Sequence, residues 1–198
     1  MGSRKHKKTN QRLLTLFLII SIAIVSAIYF ALNRPKEKGD TLQGPYPPTP
    51  MEEKNQKITL FFADSNGRLL VGEEREIEGH PSIADQVKEC LHQLIQGTQD
   101  QDLSPVISPR TQLQGVFLDL DNGIAYVDFS AEISTDHPAG PEAELLTTYA
   151  IINTLCHNFP AIKRVQILIA GREEESLAGH IFIQLPLMPA WDLRSGGR

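Results

Sequence analysis

A run of 20 uncharged residues near the N-terminus constrains this chain more than any other feature; residues 13–32 read LLTLFLIISIAIVSAIYFAL. At about 1.5 Å of rise per residue, a helix of this length spans the roughly 30 Å hydrocarbon core of a bilayer. Residues 1–12 hold five lysines and arginines and no acid, and a basic flank of this kind stays on the cytoplasmic side. The sequence therefore predicts a cytoplasmic segment (1–12), one transmembrane anchor (13–32) and an exported remainder.

A cleaved signal peptide is the alternative interpretation of the same segment. Its apolar stretch would be about 7 to 15 residues long and would end in a small-x-small site. The end of the segment, Ala27 to Ala31, reads AIYFA and fits that pattern poorly. No cysteine stands directly behind the segment, which excludes a lipid-modified N-terminus, so we expect an uncleaved, single-pass anchor.

The stretch that follows the anchor is rich in proline. Residues 33–56 include RPKEKGD and GPYPPTP, and closely spaced prolines favour an extended polyproline conformation over helix or sheet. We interpret these residues as a linker that lifts a globular domain, residues 57–187, off the membrane. Residues 188–198 are expected to form a flexible tail.

The charge of the exported part excludes one class of partner. Residues 41–198 carry 11 of the 19 basic and 22 of the 24 acidic side chains, a net charge near −11. Nucleic-acid binding draws most of its affinity from lysine and arginine on phosphate. We therefore expect no nucleic-acid partner and no attraction to an anionic lipid surface.

Hydrophobic periodicity predicts the fold class of the exported domain. A short apolar, β-rich run predicts a strand in ITLFFA, and RLLVGEEREI follows it as the second strand of a hairpin. Period-two alternation predicts strands in 113–120, the segment from Ile124, KRVQILIAG and HIFIQLPL. Helical spacing predicts one helix from Ser82 to Gly97 and a second from Pro141 to Pro160, each with one apolar stripe. The order ββαββαββ predicts an α+β fold, a two-layer domain with a mainly antiparallel sheet and both helices on one face.

The densest polar stretch, DNGIAYVDFSAEIS at 121–134, indicates architecture rather than an active site. Residues 121–123 are typical of a turn, and after them polar and core residues alternate along a strand. Ser130 lacks the neighbours of a nucleophilic serine, so we expect it to bond local backbone at the strand end. The strand face that bears Tyr126 and Asp128 is a candidate contact surface.

The sequence holds other titratable side chains that could form a site. The histidines show no metal-binding spacing, so we expect neither a metal nor another cofactor. Glu173, Glu174 and Glu175 predict a solvated hairpin loop whose acidic tip could also contact a basic partner. His180, near the end of that segment, completes the candidate interaction surface.

The two cysteines, Cys90 and Cys156, each fall on the apolar stripe of a predicted helix. We expect both to be small buried side chains that face the sheet. A disulfide between them stays open as an alternative, because the two helices could lie side by side.

Four short motifs stand out in the exported domain: AYVDFS from Ala125, NTL from Asn153 before a Phe-Pro pair, VQILI from Val165 before a glycine, and LAGH from Leu177. Together they resemble the GerMN domain of sporulation and spore germination proteins, over roughly Lys57 to Leu187. Members of the family often are lipoproteins with two tandem domains, whereas this sequence has one domain behind a transmembrane segment.

The resemblance implies a non-catalytic, extracytoplasmic α+β domain related to ring-building motifs, which acts in protein assembly or at the cell wall. It supplies no established catalytic residues. The resulting hypothesis is an envelope scaffold or adaptor, anchored in the bacterial inner membrane, that binds an envelope protein, itself or peptidoglycan. The alternative is a cell-wall hydrolase with Asp128 and another carboxylate as an acid/base pair.

Overall fold

The computed structural model of the chain describes residues 55–138 and 140–195. The predicted cytoplasmic segment, the membrane anchor and nearly all of the linker lie outside these residues, as do the last three residues of the predicted tail. Within the described ranges, no helix is both long and apolar enough to cross a bilayer.

The described residues alternate between strands and helices, which confirms the predicted α+β class. The strands are β1 (Gln56–Asp64), β2 (Leu70–Ile77), β3 (Leu103–Ser104), β4 (Leu113–Asp119), β5 (Ile124–Phe129) and β6 (Arg164–Ile169). The helices are α1 (Ile83–Gln96), α2 (Glu132–Thr135) and α3 (Pro141–Asn158), followed by a 3₁₀ turn at Trp191–Leu193. The two-residue strand β3 and the short helix α2 lie where the sequence predicted neither.

The six strands form two three-stranded sheets. The first has the order β2-β1-β3 and is antiparallel. The second has the order β4-β5-β6, in which β4 and β5 form an antiparallel hairpin and β5 and β6 run parallel. The hairpin closes through Gly123, whose φ of 67° is accessible to glycine at little cost.

The predicted last strand, HIFIQLPL, is absent from both sheets. Its residues make only isolated bridges, from Leu187 to Val165 and from Phe182 to Ser176. Pro186 has no N–H to donate to a ladder, and the side chain of Gln166 takes the carbonyl oxygen of Ile183, at 2.8 Å. The strand predicted from the alternating apolar pattern is therefore wrong, and Leu185 is exposed rather than buried.

Helix α1 follows its predicted pattern. Its apolar stripe is buried at Val87, Cys90, Leu91, Leu94 and Ile95. The helix ends at Gly97, whose φ is 87° and whose N–H bonds to the carbonyl oxygen of Leu94. Ser82 occupies the N-cap position, but its side chain makes no capping hydrogen bond.

Helix α3 is buried more completely than one apolar stripe would allow. It contacts both β1 and β6, and its buried residues include Thr148, Asn153 and Thr154. Several of its polar groups bond to β1: Thr154 Oγ1 accepts a bond from the N–H of Phe61, and Asn158 pairs with both the N–H and the carbonyl of Thr59. Among the described residues, the hydroxyl of Thr148 has no hydrogen-bond partner. The helix is therefore the centre of the core.

Residues 188–195, for which the sequence predicted a flexible tail, are docked on the domain. Asn153 donates to the carbonyl of Ala190 at 3.0 Å and accepts from its N–H at 2.9 Å. The N–H of Ser195 bonds to the carbonyl of Leu70. The buried amide of Asn153 therefore ties a neighbouring segment through its backbone, as expected of an amide within an apolar helix.

The two cysteines are free thiols, so the disulfide alternative is wrong. Cys90 is buried and Cys156 is half-buried. Burial raises the pKa of the Cys90 thiol to about 12 and that of Cys156 to about 11.

Candidate functional site

Most of the predicted contact residues meet at one irregular segment after β6, which we call the 170–182 loop. It carries Glu173, Glu174, Glu175 and His180, and Asp128 holds its first residues. The loop leaves the sheet through Ala170 and Gly171, both with positive φ (51° and 76°). A non-glycine residue in this region costs roughly 1 kcal/mol, so other contacts must hold the exit.

Asp128 supplies one of these contacts. Its Oδ1 accepts a hydrogen bond from the N–H of Gly171 at 2.9 Å. The neighbouring carbonyl of Phe129 accepts from the N–H of Ala170 at 2.7 Å. The carboxylate of Asp128 thus fixes the start of the loop, and its bonding partner is backbone rather than the second carboxylate that an acid/base pair would require.

Glu144 of α3 holds the far end of the loop. Its side chain is fully buried, with 0% exposure. Its Oε1 accepts hydrogen bonds from the N–H groups of Leu177, Ala178 and Ile181 at 3.0, 2.9 and 3.1 Å. Its Oε2 accepts from the N–H of His180 at 2.8 Å and contacts His180 Nδ1 at 2.9 Å. One carboxylate therefore binds four backbone N–H groups between residues 177 and 181.

These bonds decide the charge of Glu144. Burial by itself raises the pKa of a carboxyl group, but here the N–H groups of Ala178 and Ile181 and both donors of His180 outweigh it. The pKa of Glu144 therefore lies below its usual value, and the group is ionised at neutral pH. An ionised carboxylate saturated with donors is an anchor rather than a general acid.

Further bonds keep the loop in place between its two carboxylate anchors. Ser134 Oγ donates to the carbonyl of Leu177 at 2.6 Å, and the Leu177 side chain is buried. The N–H of Gly179 bonds to Ser176 Oγ, and the N–H of Ile183 bonds to the carbonyl of Glu175. The loop is thus bonded to the domain at its start and between residues 177 and 181, and bonds within the loop brace the segment around 175 and 176.

The tip itself is acidic and open to solvent. Glu173 and Glu175 are exposed, and Glu174 is half-buried with its carboxylate 3.9 Å from the guanidinium of Arg172. The predicted solvated acidic loop is therefore present, although no hairpin of two long strands carries it. The loop presents two uncompensated carboxylates on a backbone that is held from both ends.

Tyr126 lies apart from this loop. It is half-buried on the outer face of the second sheet, where its ring packs against Phe117 of β4 with centroids 5.9 Å apart. Tyr126 and Asp128 lie on the same face of β5, as the alternation predicts. Asp128, however, bonds to the 170–182 loop, and the ring of Tyr126 packs on the neighbouring strand β4.

The structure also shows the surroundings of Ser130 and of the candidate metal ligands. Ser130 Oγ accepts from the N–H of Gln112 at 2.9 Å while the Ser130 N–H bonds to the Gln112 carbonyl at 2.8 Å, which confirms a strand-end serine bonded to local backbone. In the part of the chain that the structure describes, no three histidine, cysteine or acidic side chains are grouped so as to hold a metal ion.

A groove of about 540 Å³ lies beside the start of α3. The walls are mostly apolar and include Pro105, Val106, Ile107, Pro109 and Leu146. A short two-layer domain has little room for the roughly 300 Å³ or more of a ligand cavity, yet this groove exceeds that volume. The loop between β3 and β4 forms one wall, and sequence patterns do not reveal where such a loop folds back.

The role of Glu144 was missed from the sequence. An acidic residue in the first turn of a helix has a sufficient local explanation in the helix dipole, and its bonding partners lie 33 to 37 residues away. The LAGH motif at 177–180 marks the segment that Glu144 binds, but nothing in the motif itself indicates which residue binds it.

Several solved structures resemble the domain. The first GerMN domain of the sporulation protein GerM from Bacillus subtilis is 23% identical, with a TM-score of 0.51 over 71% of this chain and 98% of that one. The tandem GerMN domains of GerM give 23% identity and a TM-score of 0.53, over 67% of this chain and 46% of that one. A protein from Clostridium perfringens described as a lipoprotein gives 24% identity and a TM-score of 0.48, over 68% and 87%.

The likeness to the GerM domains, at this identity, concerns the fold. No curated protein matches the chain. The sequence model of the family described as Germane, sporulation and spore germination, matches residues 59–175, from the second half of β1 to the acidic tip of the 170–182 loop. By this match over more than half of its length, the chain belongs to the Germane family, the GerMN-domain family of sporulation and spore germination.

Proposed function

We propose that this protein is a non-catalytic scaffold or adaptor of the bacterial envelope. In this proposal, residues 13–32 anchor the chain in the inner membrane with the N-terminus in the cytoplasm. The linker at 33–56 places the GerMN domain outside the membrane, where the 170–182 loop contacts a basic segment of another envelope protein. Family membership, the uncharged N-terminal run and the held acidic loop support the proposal.

The observation that best supports the 170–182 loop as a contact surface is that the buried Glu144 binds its backbone. A buried carboxylate is costly unless donors surround it, and all five donors around Glu144 belong to residues 177–181. The chain thus uses a buried charge to fix an exposed loop. A surface that is fixed before binding loses less conformational entropy when a partner docks.

The charge of the loop and of the domain favours a basic protein as the partner. Glu173 and Glu175 are exposed at the tip, and the exported residues 41–198 carry a net charge near −11. A complementary basic patch would be steered toward this surface. Two acidic side chains on a loop would add less to the affinity for peptidoglycan, the alternative partner.

A charge-reversal experiment tests the contact. The full-length chain, with a photo-crosslinking amino acid at position 174, is expressed in its host envelope as wild type and as Glu173→Lys with Glu175→Lys. A matched control reverses Glu74 and Glu76, which are exposed on β2 of the other sheet. We expect one discrete crosslinked protein with the wild type and the control, and its loss with the loop variant.

Two outcomes contradict the proposal. One is a crosslinking pattern that the loop variant leaves unchanged. The other is cleavage of purified sacculi by the wild-type protein, which would make it an enzyme. Sedimentation with sacculi, in parallel, separates a cell-wall ligand from a protein partner.

A further inference from the structure

Strand β4 is an unusually open edge. It stands at the end of the order β4-β5-β6, and within the described residues no strand pairs with its outer side. None of its seven residues is fully buried, and even Val116 and Leu118, which face the core, are half-buried. An edge of this kind leaves N–H and C=O groups available to another strand.

The comparison with β2 shows that the openness of β4 is specific. Strand β6, at the opposite edge of the same sheet, is partly covered, because Leu187 bridges Val165 through two backbone hydrogen bonds. Strand β2, at the edge of the other sheet, carries four consecutive charged residues, 73–76. Its first residue, Leu70, is also bridged by Arg194 and Ser195. Charges and coverage are the usual protection of an edge against pairing, whereas residues 113–118 of β4, LQGVFL, carry no charge.

The outer face of β4 presents an aromatic side chain with little cover. Phe117 is 67% exposed, and its ring packs against Tyr126 of β5. Two residues earlier, Gly115 has open space around it, since an added Cβ would meet no atom within 4 Å. When β4 pairs antiparallel with a second copy of itself around Val116, Gly115 of one copy lies opposite Phe117 of the other. The open space at the glycine can then receive the exposed ring.

The charges at the two ends of β4 fit the same arrangement. In an antiparallel pair of identical strands, the end of one lies beside the beginning of the other. The end of β4 is acidic, with Asp119 and Asp121, and the segment before its beginning carries Arg110. Arg110 contacts Asp136 at 2.7 Å, yet its side chain remains 75% exposed.

We propose that β4 pairs antiparallel with β4 of a second copy of this chain, around a two-fold axis near Val116. The pair joins two three-stranded sheets into one of six strands. Phe117 of each copy is covered by the region of Gly115 and Phe117 of the other, and Arg110 approaches the acidic strand end of its partner. The self-pairing does not depend on the adaptor contact proposed above, which uses the 170–182 loop.

The net charge predicts how this association responds to salt. Two copies of a domain with a net charge near −11 repel each other over distances that ionic screening shortens. The main-chain bonds and the covered aromatic rings depend far less on salt. The pair should therefore form more readily at higher ionic strength, the opposite of association driven by opposite charges.

Sedimentation equilibrium gives the direct test. The samples are the full-length chain in detergent micelles and residues 50–198, a compact unit of the chain, whose folding is checked by cooperative thermal unfolding. The variant is Phe117→Lys, and the matched control is Leu185→Lys, which removes a similarly exposed apolar side chain (62%) away from β4. Two lysines on the covered face should weaken dimerisation by about 100-fold or more, since two apolar contacts are lost, while the control dimerises like the wild type.

Amide hydrogen exchange locates the contact independently of any variant. Protection of the amides of β4 should rise with protein concentration, while that of β2 stays constant. A wild-type domain that remains monomeric up to about 1 mM, the weak limit of specific association, overturns the proposal. A dimer that Phe117→Lys does not weaken, or whose β4 amides gain no protection, overturns it as well. If only the self-pairing proposal is wrong, these tests fail while the crosslinked partner at position 174 is still found.

Discussion

Glu144 Oε2 lies 2.9 Å from His180 Nδ1, although the glutamate is fully buried in the first turn of α3 and the histidine is exposed at the end of an irregular loop. The same carboxylate also accepts the backbone N–H of His180. The pair joins the central helix of the core to the surface segment with the acidic tip. Changes at this contact should therefore affect stability and surface presentation together.

Replacing Glu144 with glutamine should destabilise the domain strongly. The amide keeps one acceptor oxygen and points an NH₂ group at backbone N–H donors, which leaves buried donors without partners. We expect a loss of about 3 kcal/mol in the free energy of unfolding, measured by urea denaturation. Glu142→Gln, at an exposed position in the same helical turn, should change it by less than about 0.5 kcal/mol. Equal effects of the two substitutions would contradict the anchoring role.

The lowered pKa of Glu144 predicts a defined dependence of stability on pH. Above the ordinary carboxyl pKa of 4.5, the folded and unfolded chains both hold Glu144 ionised and its stabilisation is complete. As the pH falls toward the lower folded pKa, the unfolded chain binds a proton that the folded chain does not, and stability is lost. The difference between wild type and Glu144→Gln should thus shrink as the pH falls through the ordinary carboxyl pKa of 4.5 toward the lower folded pKa of Glu144. A difference that is constant over this range would show that the charge of Glu144 is not what stabilises the loop.

Asp128 should matter for the loop and not for any turnover. Asp128→Asn keeps an oxygen for the N–H of Gly171 and should cost less than about 1 kcal/mol, whereas Asp128→Ala loses the bond and should cost about 1 to 2 kcal/mol. Loop accessibility, followed by limited proteolysis between residues 170 and 182, should rise for alanine. Muramidase assays on sacculi should give no product for the wild type or for either variant. Product formation that Asp128→Asn abolishes would restore the hydrolase hypothesis.

The thiols give a prediction about redox state. Burial raises the pKa of Cys90 to about 12 and that of Cys156 to about 11, and the thiolate is the reactive form. We expect no alkylation of Cys90 and slow alkylation of Cys156 in the native protein near neutral pH. Unfolding without reductant should expose two alkylatable thiols by intact mass. A protein isolated from its host with no free thiol would mean that the two residues pair after all.

Local periodicity was sufficient for much of the fold and failed at identifiable points. The stripe of α1, the turn at Gly123 and the alternation of Ala125, Val127 and Phe129 follow from short-range rules, and the structure confirms them. The division into two sheets and the parallel pairing of β5 with β6 depend on contacts across a whole helix. No pattern within a single segment encodes such contacts.

The candidate surface shows the same division. The solvated acidic run at 173–175 could be predicted because three adjacent glutamates have no alternative to solvent. The anchoring by Glu144 could not, because the residue satisfies a local rule at a helix start while its decisive partners are distant in sequence. The helix α3 stripe was incomplete for a related reason: hydroxyl and amide side chains such as Thr154 and Asn158 are polar by type but bonded to β1 backbone.

The position of β1 has a mechanical consequence. The linker enters the described domain at Gln56, the first residue of a strand that pairs with β2 along eight residues and also bonds to Thr154 and Asn158 of the central helix. A pull along the linker is therefore directed along β1, across hydrogen bonds that lie perpendicular to the force and must yield together. A domain connected to its linker in this way resists unfolding by shear along β1.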